Sequence, residues 1–286
     1  MNSFSSLGAD SILNSNCIDH FKKIASSVKV YGTGEEVVDW PQSRKIDRIL
    51  YLHTPEGEKQ SSLLDDLKPK SCVIDMGAGR GMFLLDLKNL QKDLSVIGVG
   101  VTKLDQRIIN DNLTDNDSIY YGYVPEITEL LRNHYQSVDL IMETYGPLTY
   151  AENPLHVLIF IGLLLNENGS YSCMSSTTSE LPKHVFSTNE TVAKIADFFE
   201  ENMGIKLEFS QKEIDSEAYP GKRCTDFQFR MKPIKDNPIW KKLGENTPDT
   251  IWDRLKNEAD QKFGEPQKEA AWYSAGGFSI SAKKYL

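Results

Sequence analysis

The chain is expected to fold as a doubly wound α/β structure. The expectation is a mostly parallel seven-stranded sheet with helices on both faces and helical additions at the N- and C-termini. Three observations predict it. From residue 72 onward, short apolar runs alternate with helical patterns of about 10–15 residues, the rhythm of successive βαβ units. Those runs are apolar almost throughout, as expected of strands covered on both faces. At 72–90, a strand runs into closely spaced glycines and then into a helix, the way ligand-binding turns of such sheets begin.

The elements follow in order. Residues 10–27 carry Ile12, Leu13, Ile18, Phe21 and Ile24 at helical spacing. A glycine stretch, Tyr31-Gly32-Thr33-Gly34, follows. A second helix is expected over 41–52, opened by Pro41, and a short one over 62–67 that stops near Pro69. Strands are then expected at 72–76, 94–101, 118–121, 138–143, 169–174 and 205–209. Helices are expected at 80–90, 103–112, 125–134, 152–165 and 189–203. The right-handed crossover rule leaves the doubly wound sheet as the leading topology. Past 210 the rhythm loosens. Residues 224–231 (CTDFQFRM) alternate and read as a strand, 248–263 as a helix, and 277–285 as a final strand. The expected organisation is an N-terminal helical extension or lid at 1–59, a ligand-binding core at 60–235, and C-terminal helices with a last strand at 236–286.

Composition narrows the classes. The 286 residues are 40% hydrophobic and 26% charged, an ordinary globular balance that excludes collagen-like, disulfide-scaffold and wholly disordered chains. The 32 basic and 41 acidic residues give a net charge of −9, which disfavours a nucleic-acid partner. Cys17, Cys72, Cys173 and Cys224 form no C-x-x-C pair, so no zinc site is expected, and free cysteines suit a reducing compartment. Residues 1–16 lack a basic segment followed by an apolar one, and the longest apolar run, 155–165, is too short for a membrane span. A cytoplasmic protein is expected.

The chemistry concentrates at Val73-Ile74-Asp75-Met76-Gly77-Ala78-Gly79-Arg80-Gly81. Glycines permit positive φ and close approach of a ligand to the backbone. A dinucleotide fingerprint needs G-x-G-x-x-G, whereas here the spacing is G-x-G-x-G and the later position holds Met82. No G-x-x-x-x-G-K-[ST] loop occurs either. VIDMGAGRGMFLLDL resembles motif I of the class I S-adenosylmethionine-dependent methyltransferases. The segment VDLIMETYGPLTY, followed by a helix and LLLNENGSYSCM, is similar to that family's fourth strand, next helix and fifth strand. The resemblance covers roughly 60–235 and implies the Rossmann-like methyltransferase fold with S-adenosyl-L-methionine as cofactor.

By that resemblance, Gly77 and Gly79 line the methionine portion and ribose, with Ala78 between them in the cofactor set. Asp75 holds the cofactor's amino group, directly or through a water. Gly81 is expected to allow close helix packing. The family's second strand usually ends in an acid that binds the ribose hydroxyls, but this chain has Gly100 there. Thr102 is the candidate replacement, with Asp105 as the alternative. Tyr123 is placed to stack on the adenine. Glu143 and Tyr145, at the end of the fourth strand, are the candidates to meet the methyl acceptor or the sulfonium, with Glu143 also counted toward the cofactor. His53 and His184 are read as surface or core residues before acceptor-pocket ones. No metal site is expected.

The leading function is therefore methyl transfer from S-adenosylmethionine to a small molecule or a protein side chain by in-line displacement. The absence of [DN]-P-P-[YF] argues against the adenine or glutamine N-methylation which that motif supports. Two alternatives are a catalytically silent methyltransferase-like binding module, motivated by Gly100, and an NAD-dependent oxidoreductase. The last lacks both G-x-G-x-x-G and Tyr-x-x-x-Lys.

Overall fold

The central sheet has seven strands in the order β3-β2-β1-β4-β5-β7-β6. They are β1 (Cys72–Met76), β2 (Ser95–Gly100), β3 (Ser118–Tyr121), β4 (Val138–Thr144), β5 (Leu165–Thr177), β6 (Ile205–Asp215) and β7 (Arg223–Pro233). The computed structural model describes residues 45–54, 62–78, 81–91, 93–100, 117–121, 128–144, 146, 148, 153–177, 188–215, 223–264, 273–274 and 278–279. The expected helices at 10–27 and 103–112 lie outside them. Strands β1 to β5 pair in parallel, and β7 runs antiparallel between β5 and β6.

Each face is covered, which is why β1 reads as an unbroken apolar run. Ile74 and Met76 join one core cluster with Leu130, Phe160, Ile195 and Trp252. Val73 joins the other with Ile49, Phe83, Leu84 and Leu87. The second face is covered by α1 (Ile46–His53), the short α2 (Ser62–Asp65) and α3 (Met82–Leu90). The first is covered by α4 (Thr128–His134), α5 (Pro154–Leu164), α6 (Asn189–Met203), α7 (Pro238–Leu243) and α8 (Pro248–Phe263).

Helix α5 is apolar all round, the mark of a helix buried on every side. Asn153 caps it by accepting the Leu155 N–H at 3.0 Å, and Pro154 occupies its first turn. Its outer side is closed by α8. Trp252 packs edge-on to Phe160 at 5.6 Å between ring centroids, and His156 Nε2 lies 2.7 Å from Asp260 Oδ1. Trp240, Leu243, Ile251 and Leu255 share a cluster with the sheet, so the C-terminal helices complete this core. Of the strand expected over 277–285, only residues 278–279 are described: β9 (Phe278–Ser279) forms a separate two-stranded pair with β8 (Tyr273–Ser274).

Among the described residues, no helix is long and apolar enough to cross a membrane, and no group of three or more His, Cys, Asp or Glu could hold a metal ion.

Candidate functional site

In an open α/β sheet, ligands bind beyond the strand carboxyl ends where the strand order reverses. Here that point lies between β1 and β4, which are hydrogen-bonded neighbours although two strands separate them in sequence.

The carboxyl end of β1 carries the glycine turn. Gly77 and Gly81 both have positive φ, 86° and 79°, so each glycine meets a backbone requirement. Gly81 is the left-handed residue that opens α3, a conformation that favours glycine. The turn is folded back on β2. The Gly77 and Ala78 amides donate to the Val99 carbonyl at 2.7 and 2.8 Å, and the Gly81 amide donates to Ala78 O at 2.7 Å. Gly79 lies outside the described residues. Asp75 is 2% exposed and pairs in register with Gly98 on β2 and Met142 on β4. It is thus a buried acid on the strand that leads into the turn.

β2 ends on Gly100, so a glycine stands at the strand end where the family resemblance leads one to expect an acid. Thr102, Asp105, Tyr123, Tyr145 and His184 lie outside the described residues.

Glu143 is fully buried at the end of β4. Its Oε1 accepts the Leu148 N–H at 2.5 Å and its Oε2 accepts the Tyr171 hydroxyl at 2.9 Å. Burial foremost, then the neighbouring Cys173 and Glu143, hold the Tyr171 hydroxyl well above its ordinary pKa, so it keeps its proton and donates. Burial and then Glu143 do the same to the Cys173 thiol. Both Glu143 oxygens therefore have protein partners, and one of them closes the 143–148 segment.

Gly146 is a requirement that the sequence reading quoted but did not assign. A Cβ built there would collide with the Met76 carbonyl oxygen and press on Glu143 Cγ. The carboxyl ends of β1 and β4 thus meet backbone to backbone. Gly146→Ala is expected to cost about 1–3 kcal/mol by overpacking, read as a lowered urea midpoint; an unchanged midpoint would refute the contact.

His53, read from the sequence as a surface or core residue, is the last residue of α1 and 1% exposed, so it belongs to the core. Its Nδ1 lies 2.8 Å from Ser172 Oγ and its Nε2 lies 2.9 Å from Thr144 Oγ1. Burial and then the Arg230 guanidinium push its pKa down to about 3. The imidazole is neutral. The signal for this burial was present: Ile46, Ile49, Leu50 and His53 fall on one helical stripe.

The sheet order and the placement of the turn give this chain a doubly wound, Rossmann-like α/β fold, as its resemblance to the class I S-adenosylmethionine-dependent methyltransferases implies. No protein-family model matches the chain, and no curated protein matches it. Among solved structures it is similar to precorrin-6y C5,15-methyltransferase from Geobacter metallireducens, at 12% identity over 71% of this chain and 90% of that one, with a TM-score of 0.39. It is similar to M. jannaschii TYW2 in complex with AdoMet, at 14% identity over 68% and 78%, with a TM-score of 0.42. It is also similar to geranyl diphosphate methyltransferase in complex with SAM, at 12% identity over 60% and 81%, with a TM-score of 0.41. Likeness at this level says nothing of what this chain binds.

Proposed function

We propose that the chain is an S-adenosylmethionine-dependent methyltransferase acting on a small molecule or a protein side chain. The observation that carries this reading is the state of the glycine turn. A dinucleotide turn offers backbone amides to a pyrophosphate, whereas the Gly77, Ala78 and Gly81 amides are all bonded within the protein. A buried acid, Asp75, stands on the strand that leads into the turn. Such a site favours a ligand that brings positive charge, and S-adenosylmethionine brings an ammonium and a sulfonium. The antiparallel β7 between β5 and β6 also departs from the 3-2-1-4-5-6 order of dinucleotide-binding sheets.

In this reading Asp75 holds the cofactor's amino group, and Gly77, Ala78, Gly79 and Gly81 shape the turn around the methionine portion and ribose. Thr102 meets the ribose and Tyr123 the adenine. Tyr145 faces the acceptor, and Glu143 acts on the transfer site through the segment it closes. When bound, the cofactor supplies a methyl group on positively charged sulfur. The protein's part is to orient the acceptor in line and exclude water, effects that can supply several kcal/mol. A general base is needed only if the acceptor arrives protonated.

Calorimetric titration with S-adenosylmethionine and S-adenosylhomocysteine, with NAD as control, tests the reading. Micromolar binding of the first two and none of NAD is expected. Asp75→Asn should weaken S-adenosylmethionine by about 10–100-fold, the worth of a hydrogen bond to a charged group. Binding of NAD alone would overturn the reading. The glycine at the end of β2 favours a second one, a silent binding module, and absence of binding by all three ligands would select it.

A further inference from the structure

We infer that His53 is a positioning residue of the proposed methyl-transfer site: by bridging hydroxyls on β4 and β5, it fixes the carboxyl end of β4 against the glycine turn. The inference rests on the methyltransferase reading and adds to it an element from outside the motif-bearing core.

A buried imidazole needs partners for both ring nitrogens. Here they come from two adjacent strands, Thr144 on β4 and Ser172 on β5. Either hydroxyl can donate or accept, so the bridge forms with either tautomer of the neutral ring. A phenylalanine would fill the same space but could not tie the two strands together.

The helix that carries His53 is itself pinned at both ends. The Ile46 N–H donates to Asp86 Oδ2 at 3.0 Å, and Asp86 belongs to α3, the helix that follows the glycine turn. At the other end the His53 carbonyl accepts Arg230 Nη2 from β7 at 2.7 Å, a cation at a helix C-terminus, where the helix dipole favours it. Helix α1 thus spans from the cofactor-side helix to the strands beyond β4, and His53 is its fixed point over the sheet.

Thr144 is two residues before Gly146, which is packed against the Met76 carbonyl. Met76 leads directly into Gly77. Displacement of Thr144 is therefore passed through Gly146 to the turn that holds the cofactor. His53 acts at one remove from the ligand. It shares this strand end with Glu143, whose partners Leu148 and Tyr171 hold the preceding residue.

The experiment compares S-adenosylhomocysteine affinity and thermal midpoint in the full chain for wild type, His53→Phe, His53→Gln and Thr144→Val. A purely structural role lowers the midpoint and leaves the affinity of the folded protein unchanged. The positioning role predicts that folded His53→Phe and Thr144→Val both bind about ten-fold more weakly. It also predicts that His53→Gln, whose amide reaches the place of Nε2 and keeps the Thr144 bond, returns to within about three-fold of wild type. Should His53→Phe not fold, Thr144→Val against His53→Gln decides the matter. Wild-type affinity in every folded variant overturns the inference. Wild-type protein that binds no S-adenosylhomocysteine instead overturns the methyltransferase reading beneath it.

Discussion

Replacing Lys88 by methionine is expected to destabilise the fold by about 3–5 kcal/mol, the usual cost of removing one partner from a buried ion pair. Lys88 Nζ donates to Leu94 O at 2.8 Å and lies 3.1 Å from Asp117 Oδ2, with the two side chains 4% and 0% exposed. Asp117 also accepts the Val96 N–H at 2.8 Å. The pair therefore bolts α3 to the start of both β2 and β3. Methionine fills the space of the lysine stem but leaves the Asp117 charge buried without its counter-charge. The loss is large against the ~5–15 kcal/mol that stabilises an ordinary domain. Urea unfolding measures it, and a loss under about 1 kcal/mol, the scale of an exposed pair, would contradict the burial described. The double variant Lys88→Met/Asp117→Asn should recover part of the loss, because the stranded charge is then gone. Both residues sit at the amino-terminal side of the strands they brace, so ligand affinity of the folded variants should be unaffected.

Acidification is expected to weaken the fold through His53. Above its ordinary pKa of 6.5 the ring is neutral in both the folded and the unfolded chain and contributes no pH dependence. Below 6.5 the unfolded ring takes up a proton that the folded ring refuses until about pH 3. Stability therefore falls as pH falls through that window, by about 1.4 kcal/mol per pH unit. Between pH 6.5 and 5 the loss is about 2 kcal/mol. Comparing urea midpoints of wild type and His53→Gln at pH 7 and pH 5 isolates the effect. His134 is also held below its ordinary value by burial, but it is present in both proteins and cancels. Equal losses in the two proteins would show that His53 does not carry the dependence.

Most of the sheet was legible because its strands are locally encoded. The runs at 72–76 and 118–121 and the helix at 189–203 fall where periodicity places them. Apolar continuity marked the parallel strands, and alternation marked 224–231, now part of β7. Its insertion between β5 and β6 was not legible. Pairing partners are chosen by packing, here by Phe209 against Phe227 and Phe229, and no local pattern names them. The same contrast governs the site. Asp75 and the glycines are contiguous, so a single reading frame reveals them. His53 meets Thr144 across 91 positions and Ser172 across 119, and only the folded sheet brings them together. The helix expected over 41–52 is described from Ile46 onward and runs one residue further than expected, ending on the buried His53.

The glycine turn folded onto Val99 has a consequence for association. The Gly77, Ala78 and Gly81 amides are bonded within the chain, so an arriving ligand meets these residues with their freedom already lost. Ordering a loose turn costs roughly 1–2 kcal/mol per residue; here that entropy is lost during folding, and affinity is not reduced by it. The preorganisation has a converse. A change that frees the end of β2, even one that touches no ligand atom, hands the ordering cost back to the binding step, and would appear as weaker affinity with a more unfavourable entropy.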